Sequence, residues 1–149
     1  MRVVVQRVDQ ASVKVKDRLV GNISKGILIF LGIEKGDNHK DADYLLEKVI
    51  HLRIFEDDDG KMNRSLKDIS GEMLVVSQFT LLGDCRKGRR PAFTSAEEPE
   101  RSNLLYSYFI DSAKERIPVV QAGIFQAMMK VELVNDGPVT LLLDSKKLF

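Results

Sequence analysis

The order of apolar segments predicts one domain of the α/β or α+β class. In it a curved, barrel-like sheet of mixed or antiparallel strands carries two main helices. Three observations lead there. Residues 1–149 hold no linker, repeat or low-complexity tract, so they read as one domain. Strand-like and helix-like segments follow in the order strands, helix, strands, helix, strands. The strands outnumber what two helices can cover on both faces, which asks the sheet to curve over its own second face.

Taken in order, Arg2–Val8 and Ala11–Val15 are valine-rich with partial alternation, as in half-buried strands. Leu19–Ile23 follows the charged turn Lys16-Asp17-Arg18. Gly26–Ile33 is a continuous apolar run, short enough for a buried strand. Gly36-Asp37-Asn38 breaks the chain and offers a helix cap. Ala42, Leu45, Leu46, Val49 and Ile50 then fall at helical spacing, with Asp41, Asp43, Glu47 and Lys48 off the stripe. A first helix is expected over Lys40–Arg53. Glu56–Lys61 and Asp68–Gly71 read as turns. Met73–Val76 is the next buried strand, leading into Ser77-Gln78-Phe79-Thr80-Leu81, so small polar groups sit at a strand tip. The loop Gly83–Pro91 follows. Ser95-Ala96-Glu97-Glu98 has the form of a capping box and Pro99 suits a first turn. A second helix is expected over Glu97–Arg116, with Leu104, Leu105, Tyr108, Phe109 and Ala113 on its stripe and Pro118 ending it. Val119–Ile124, Met129–Val134 and Val139–Leu143 complete the strands.

Asn135-Asp136-Gly137-Pro138-Val139-Thr140 separates the last two. Asp-Gly between apolar runs is ordinarily a type I′ hairpin. That reading fails at residue 138, where the closing bond needs an N–H and proline has none. A turn with proline third is geometrically possible and uses a cis peptide bond, yet only about 5–6% of X-Pro bonds are cis. The residues give a non-standard turn with two exposed carbonyls and leave their direction open.

Net charge of +1 excludes a uniformly basic nucleic-acid coat. It permits a local patch, and Arg86, Lys87, Arg89 and Arg90 supply one: either a solvated loop or a phosphate-contacting loop. No apolar run approaches the roughly 20 residues of a bilayer span, so no membrane partner is expected. The opening Met1-Arg2-Val3-Val4-Val5 lacks a signal-peptide layout. With Cys85 as the single cysteine, the expectation is a cytoplasmic protein with no metal and no cofactor. The acidic run at Glu56–Lys61 resembles half of a calcium loop but lacks the full spacing and the terminal glutamate.

The available chemistry is sparse. His39 and His51 are the only histidines, and neither adjoins a serine or cysteine. Cys85 has cationic neighbours that could lower its pKa, although an incidental thiol is the plainer reading. Ser77 and Thr80 are hydroxyls at a strand tip, and their plainer role is to satisfy nearby backbone. A threonine without a base is a weak nucleophile. A hydrolase built on this chain must draw on backbone N–H groups that hold an oxyanion, or on a group of the substrate itself.

At Ser77-Gln78-Phe79-Thr80-Leu81 and Asn135-Asp136-Gly137-Pro138-Val139-Thr140 the sequence closely resembles the D-aminoacyl-tRNA deacylases. The likeness extends to Met1–Val8, Gly60-Lys61-Met62-Asn63, Lys87-Gly88 with Arg90-Pro91 and Phe93, then Gly123, Phe125, Ala127 and Met129. The resemblance implies that family's fold and hydrolysis of the ester bond of D-aminoacyl-tRNA, with glycyl-tRNA also accepted. It implies a homodimer whose partner is the acceptor end and terminal adenosine of the tRNA, with no DNA partner. Gly137 and Pro138, joined by a cis bond, would enter the other subunit's pocket and reject L substrates. Ser77, Gln78, Phe79 and Thr80 would be the catalytic wall, and the terminal 2′-hydroxyl would activate water. Arg7 would brace the motif of the partner subunit, with Asn135 and Asp136 in support. Phe125, Ala127 and Met129 would line the pocket, and Arg86, Lys87, Arg89 and Arg90 would contact tRNA. The alternatives are a non-catalytic tRNA-binding module and a general small-ester hydrolase.

Overall fold

The computed structural model describes residues 1–149. Their elements are β1 (Arg2–Val15), β2 (Arg18–Ile23), β3 (Gly26–Gly32), α1 (His39–His51), β4 (Phe55–Glu56), β5 (Met62–Arg64), β6 (Glu72–Ser77), α2 (Pro99–Lys114), β7 (Val120–Ala122) and β8 (Met129–Asp144). A short 3-10 turn, Phe79–Leu82, follows β6.

β1 is the spine. β8 lies antiparallel along one of its edges, from Arg2 opposite Asp144 to Val15 opposite Met129. The other edge is shared. Arg2–Val8 pair with β3 and Ala11–Val15 with β2, both antiparallel. β6 runs parallel to β3, and β7 parallel to β6, so the six-stranded sheet is mixed. β4 and β5 form a separate ribbon that carries the Glu56–Lys61 turn.

The two strands expected within 2–15 are one strand. Its register slips between Val8 and Gln10, where β1 carries one residue more than its partner. The slip changes the phase of the alternation. Val3 and Val5 face the helices, whereas Val8, Ala11 and Val13 face the other way. The larger core lies between sheet and helices, where Val3, Ile29 and Val75 meet Leu46, Ile50 and Phe109. A second core joins Val8, Val13, Ile23, Leu28, Leu74 and Val76, closed by β2 packing back over β6 and β7. The sheet is thereby a nearly closed barrel. The apolar run of β3 now has its cause: Ile27, Ile29 and Leu31 enter one core and Leu28 the other.

α1 starts as expected. Asn38 accepts from the Lys40 N–H at 3.0 Å, and its own N–H donates to Asp41 at 3.0 Å. α2 differs. It begins at Pro99, and its N-cap Glu98 makes no side-chain cap. The expected box fails because the preceding backbone is used in tertiary pairing. Lys35 N–H donates to the Ser95 carbonyl, and Glu97 N–H to that of Ile33, each at 2.9 Å. The stripe also differs: Leu104 is 67% exposed, and Tyr106 and Ile110 take the buried positions beside Leu105 and Phe109.

Gly26 lies opposite Glu72 in the parallel pair, and a Cβ there would stand 1.9 Å from the Glu72 carbonyl oxygen. Gly26→Ala forces β3 and β6 apart, and a loss of about 3 kcal/mol is expected in urea unfolding, at the top of the usual overpacking range.

Candidate active site

The segment 135–140 is not a hairpin. Met129–Val134 and Val139–Leu143 belong to one strand, β8, and both pair with β1 in the same direction. Gln6 lies opposite Thr140 and Val8 opposite Asn135, so the four residues 136–139 stand against Arg7 alone. The excess backbone bulges outward, and Gly137 and Pro138 at its crest are exposed. The peptide bond between them is cis.

The bulge is tied at its foot. Asn135 donates its side-chain amide to the carbonyls of Arg7, at 2.8 Å, and Val139, at 3.2 Å. A Cβ at Gly137 would lie 3.0 Å from the Asn135 side-chain oxygen, so glycine lets that side chain sit inside the loop. Arg7 is 5% exposed. Its Nε donates to the Asp136 carbonyl at 3.1 Å and pairs with the Asp136 carboxylate at 2.9 Å, while Nη1 donates to the Ile54 carbonyl. The brace is therefore within one chain. The register is the cause, because it puts Arg7 directly opposite its own bulge.

Ser77 ends β6, and the chain turns at Gln78, whose N–H donates to the Leu31 carbonyl at 2.8 Å. Phe79 and Thr80 open the 3-10 turn, so their N–H groups have no intrahelical acceptor. Gln78 Nε2 donates to Thr80 Oγ1. Arg2 holds the turn from below, with Nη1 on the Leu81 carbonyl and Nε on Asp144. Neither histidine bonds to Ser77, Thr80 or Cys85. His51 is held by Glu47, and the His39 ring lies on Tyr108, centroids 4.2 Å apart.

The segment expected to line the pocket leaves β7 at Gly123. Gly123 N–H donates to the Val75 carbonyl at 2.9 Å, and the chain then turns through Phe125, Gln126 and Ala127 to Met129. Phe125 packs on the helix-side core and Met129 on the inner core; Ala127 is half-buried. Tyr106 on α2 reaches the carbonyls of both Val75 and Gly123, a residue that the expected helix stripe passed over. The spacing of Ser102, Leu105, Tyr106, Phe109, Ile110 and Ala113 carries the signal.

The basic loop is closed at its base by paired backbone bonds between Asp84 and Ala92, 2.8 and 3.0 Å. Phe93 then packs edge-on against Phe79, 5.1 Å between centroids, so the loop is moored beside the 3-10 turn. Arg86 is spent internally: it grips Asp84 at 2.7 and 2.9 Å and holds that carboxyl well below its ordinary range. Lys87, Arg89 and Arg90 are exposed and make no ion pair.

The register shows how far apart these parts lie. Arg7 is level with Ile27 and Met73, whereas Ser77 is level with Leu31 and Val3. Four residues along β6 are about 13 Å, and the three strand steps from β8 to β6 are about 14 Å. The hollow beside the bulge is lined by Arg7, Lys25, Glu72 and Asp136, and that beside the turn by Arg2, Leu82 and Asp84. One chain brings together Ser77–Thr80, the segment Gly123–Met129 and the loop. It holds Gly137–Pro138 at the opposite end.

Comparison with known proteins bears on this arrangement. Residues 4–144 match the family model described as D-Tyr-tRNA(Tyr) deacylase. A Syntrophus aciditrophicus protein named D-aminoacyl-tRNA deacylase is 80% identical over the whole of both chains. One of the same name from Petrotoga mobilis is 61% identical, again over the whole of both. A solved structure described as c-Myc DNA Unwinding Element Binding Protein superposes with a TM-score of 0.92 at 39% identity, covering 97% of this chain and 98% of that one. Another, of a probable eukaryotic D-amino acid tRNA deacylase, gives 0.84 at 19% identity, covering 96% and 98%, and speaks for the fold alone.

Arg7→Ala removes a buried guanidinium and leaves the Ile54 and Asp136 carbonyls short of a donor. A loss of about 3 kcal/mol is expected in urea unfolding. Arg7→Lys should recover only part of it, because one ammonium cannot span three acceptors set around a planar fork.

Proposed function

The chain belongs to the D-Tyr-tRNA(Tyr) deacylase family, a family of ester hydrolases, and from that premise we propose that it cleaves D-aminoacyl-tRNA to free amino acid and tRNA, and glycyl-tRNA as well. The observation that carries the finer reading is the separation within one chain of the Ser77–Thr80 wall from the Gly137–Pro138 bulge. Neither end is a complete site. A homodimer in which each bulge enters the other chain's cleft completes two sites at once.

In that arrangement the aminoacyl end lies between the 3-10 turn and the partner's bulge. Main-chain carbonyls of the bulge accept hydrogen bonds from the substrate's α-ammonium. They fill the volume into which an L side chain would project, and a D side chain points away. Discrimination by occupied space is robust because no side-chain rotamer can yield. Glycine, with no side chain, passes.

The chemistry needs a water activated without a histidine. The N–H groups of Phe79 and Thr80, which have no acceptor within the 3-10 turn, receive the developing oxyanion. Water adds to the ester carbonyl, the bond to the terminal ribose oxygen breaks, and that oxygen leaves as a hydroxyl with the proton water gives up. The neighbouring 2′-hydroxyl orients the water and relays the proton. Thr80 accepts from Gln78, which supports a positioning role rather than a nucleophilic one. Lys87, Arg89 and Arg90 meet tRNA phosphates, and the site of action is the cytoplasm, where charged tRNA is used.

The deciding assay measures release from D-tyrosyl-, L-tyrosyl- and glycyl-tRNA. The first and third are hydrolysed and the second is left intact. Equal rates for both enantiomers would end the stereochemical reading, and no turnover of any ester would leave the tRNA-binding alternative. Gly137→Ala pushes the Asn135 side chain out of the bulge, and should narrow the D-over-L preference by about tenfold or more while tRNA binding holds. Replacing Lys87, Arg89 or Arg90 with alanine should weaken tRNA binding and flatten its salt dependence by about one unit of log–log slope each, with Arg86→Ala doing less. A 2′-deoxy terminal adenosine should be inert.

A further inference from the structure

Tyr106 is 3% exposed on the buried stripe of α2. Packing alone would be met by phenylalanine, since a buried hydroxyl must find a partner or cost the core. This hydroxyl donates to the Val75 carbonyl at 2.9 Å and lies 3.3 Å from the Gly123 carbonyl. Those two carbonyls mark the fork at which the walls of the cleft part. β6 continues through Ser77 into the 3-10 turn, and β7 continues through Gly123 into Phe125–Met129. The Gly123 N–H to the Val75 carbonyl is the last bond across the fork, one step beyond the final strand pair, Val75 with Ala122.

The fork is packed from both sides. The Tyr106 ring meets that of Phe125, 5.8 Å between centroids. Met129 fills the far side, where a Cβ on Gly123 would stand 2.5 Å from its sulfur.

We propose that Tyr106 is a positioning residue for ester hydrolysis: its hydroxyl, shared between the Val75 and Gly123 carbonyls, sets the opening between the Ser77–Thr80 wall and the Phe125–Met129 wall. The inference rests on the substrate placement given above. Burial pushes the phenol up to about 12, so it remains a donor wherever the enzyme works. A cleft whose walls part at a fixed angle holds the ester carbonyl against the turn's amides, and small errors there reduce turnover more than binding.

The test compares two hydroxyl deletions on one helix. Tyr106→Phe keeps the ring at the fork. Tyr108→Phe removes a hydroxyl bonded to Asp43, away from the cleft, and serves as control. With D-tyrosyl-tRNA, Tyr106→Phe should lower kcat about tenfold with KM within about twofold, and Tyr108→Phe should change neither. Amide hydrogen exchange should rise together at Phe79–Leu82 and Ile124–Met129 in Tyr106→Phe, and at neither in Tyr108→Phe. Exchange unchanged at those two segments overturns the proposal, and so does a wild-type kcat. If the wild-type protein cleaves no D-aminoacyl-tRNA, the functional reading fails, and the exchange comparison alone decides whether the hydroxyl holds the fork. Should Tyr106→Phe not fold, Tyr106→Met, a donorless side chain that also fills the core, carries the same two measurements.

Discussion

The structure turns on a mismatch of length between two paired strands. β1 and β8 are bonded at both ends, yet between Gln6 and Val8 one residue of β1 faces four of β8. Ladders on either side fix the ends of the excess, so it has nowhere to go but outward. Arg7, the single residue opposite, turns its guanidinium into the gap and binds Asp136 twice. Asn135 closes the loop from inside. The result is a main-chain projection held by a buried cation and an amide rather than by a turn of its own.

That projection gives the sheet two chemically different ends. At one, β3 and β6 deliver a polar strand tip, an aromatic edge pair and a loop carrying three uncompensated cations. At the other, β8 presents bare backbone. Parallel pairing of β3 with β6 makes this division firm, because it sends the Ser77 tip toward Gly32 and away from Gly26. In the proposed homodimer, the two features come from two chains related by symmetry. An interface of that kind is self-complementary: the same surface gives and receives.

Much of the fold is legible in the sequence where one local cause dominates. The α1 stripe and its Asn38 cap follow from spacing and capping chemistry, and the apolar run of β3 follows from burial on both faces. Legibility stops where the partner decides. Asn135–Thr140 has the composition of a turn, and nothing within those residues says that the flanking runs pair with one strand in one direction. The start of α2 fails for the same reason: Ser95 and Glu97 carry capping chemistry, yet their backbone is engaged by Lys35 and Ile33. At the candidate site, Ser77–Thr80 at a strand tip is readable. The four-cation loop is readable in number, but the grip of Arg86 on Asp84 is not. Tyr106 escapes because aromatic residues at 106, 108 and 109 offer competing stripes, and only packing chooses between them.

β8 hydrogen-bonds to β1 alone, so its outer edge runs for sixteen residues without a neighbouring strand in the chain. Long open edges invite another ribbon to add on and grow into aggregates. Here the middle of that edge is bent out of plane and carries a proline, which offers no N–H to an incoming strand. Lys130 and Glu132 add charge along its first half. The bulge thus cuts one long border open to strand addition into two short ones.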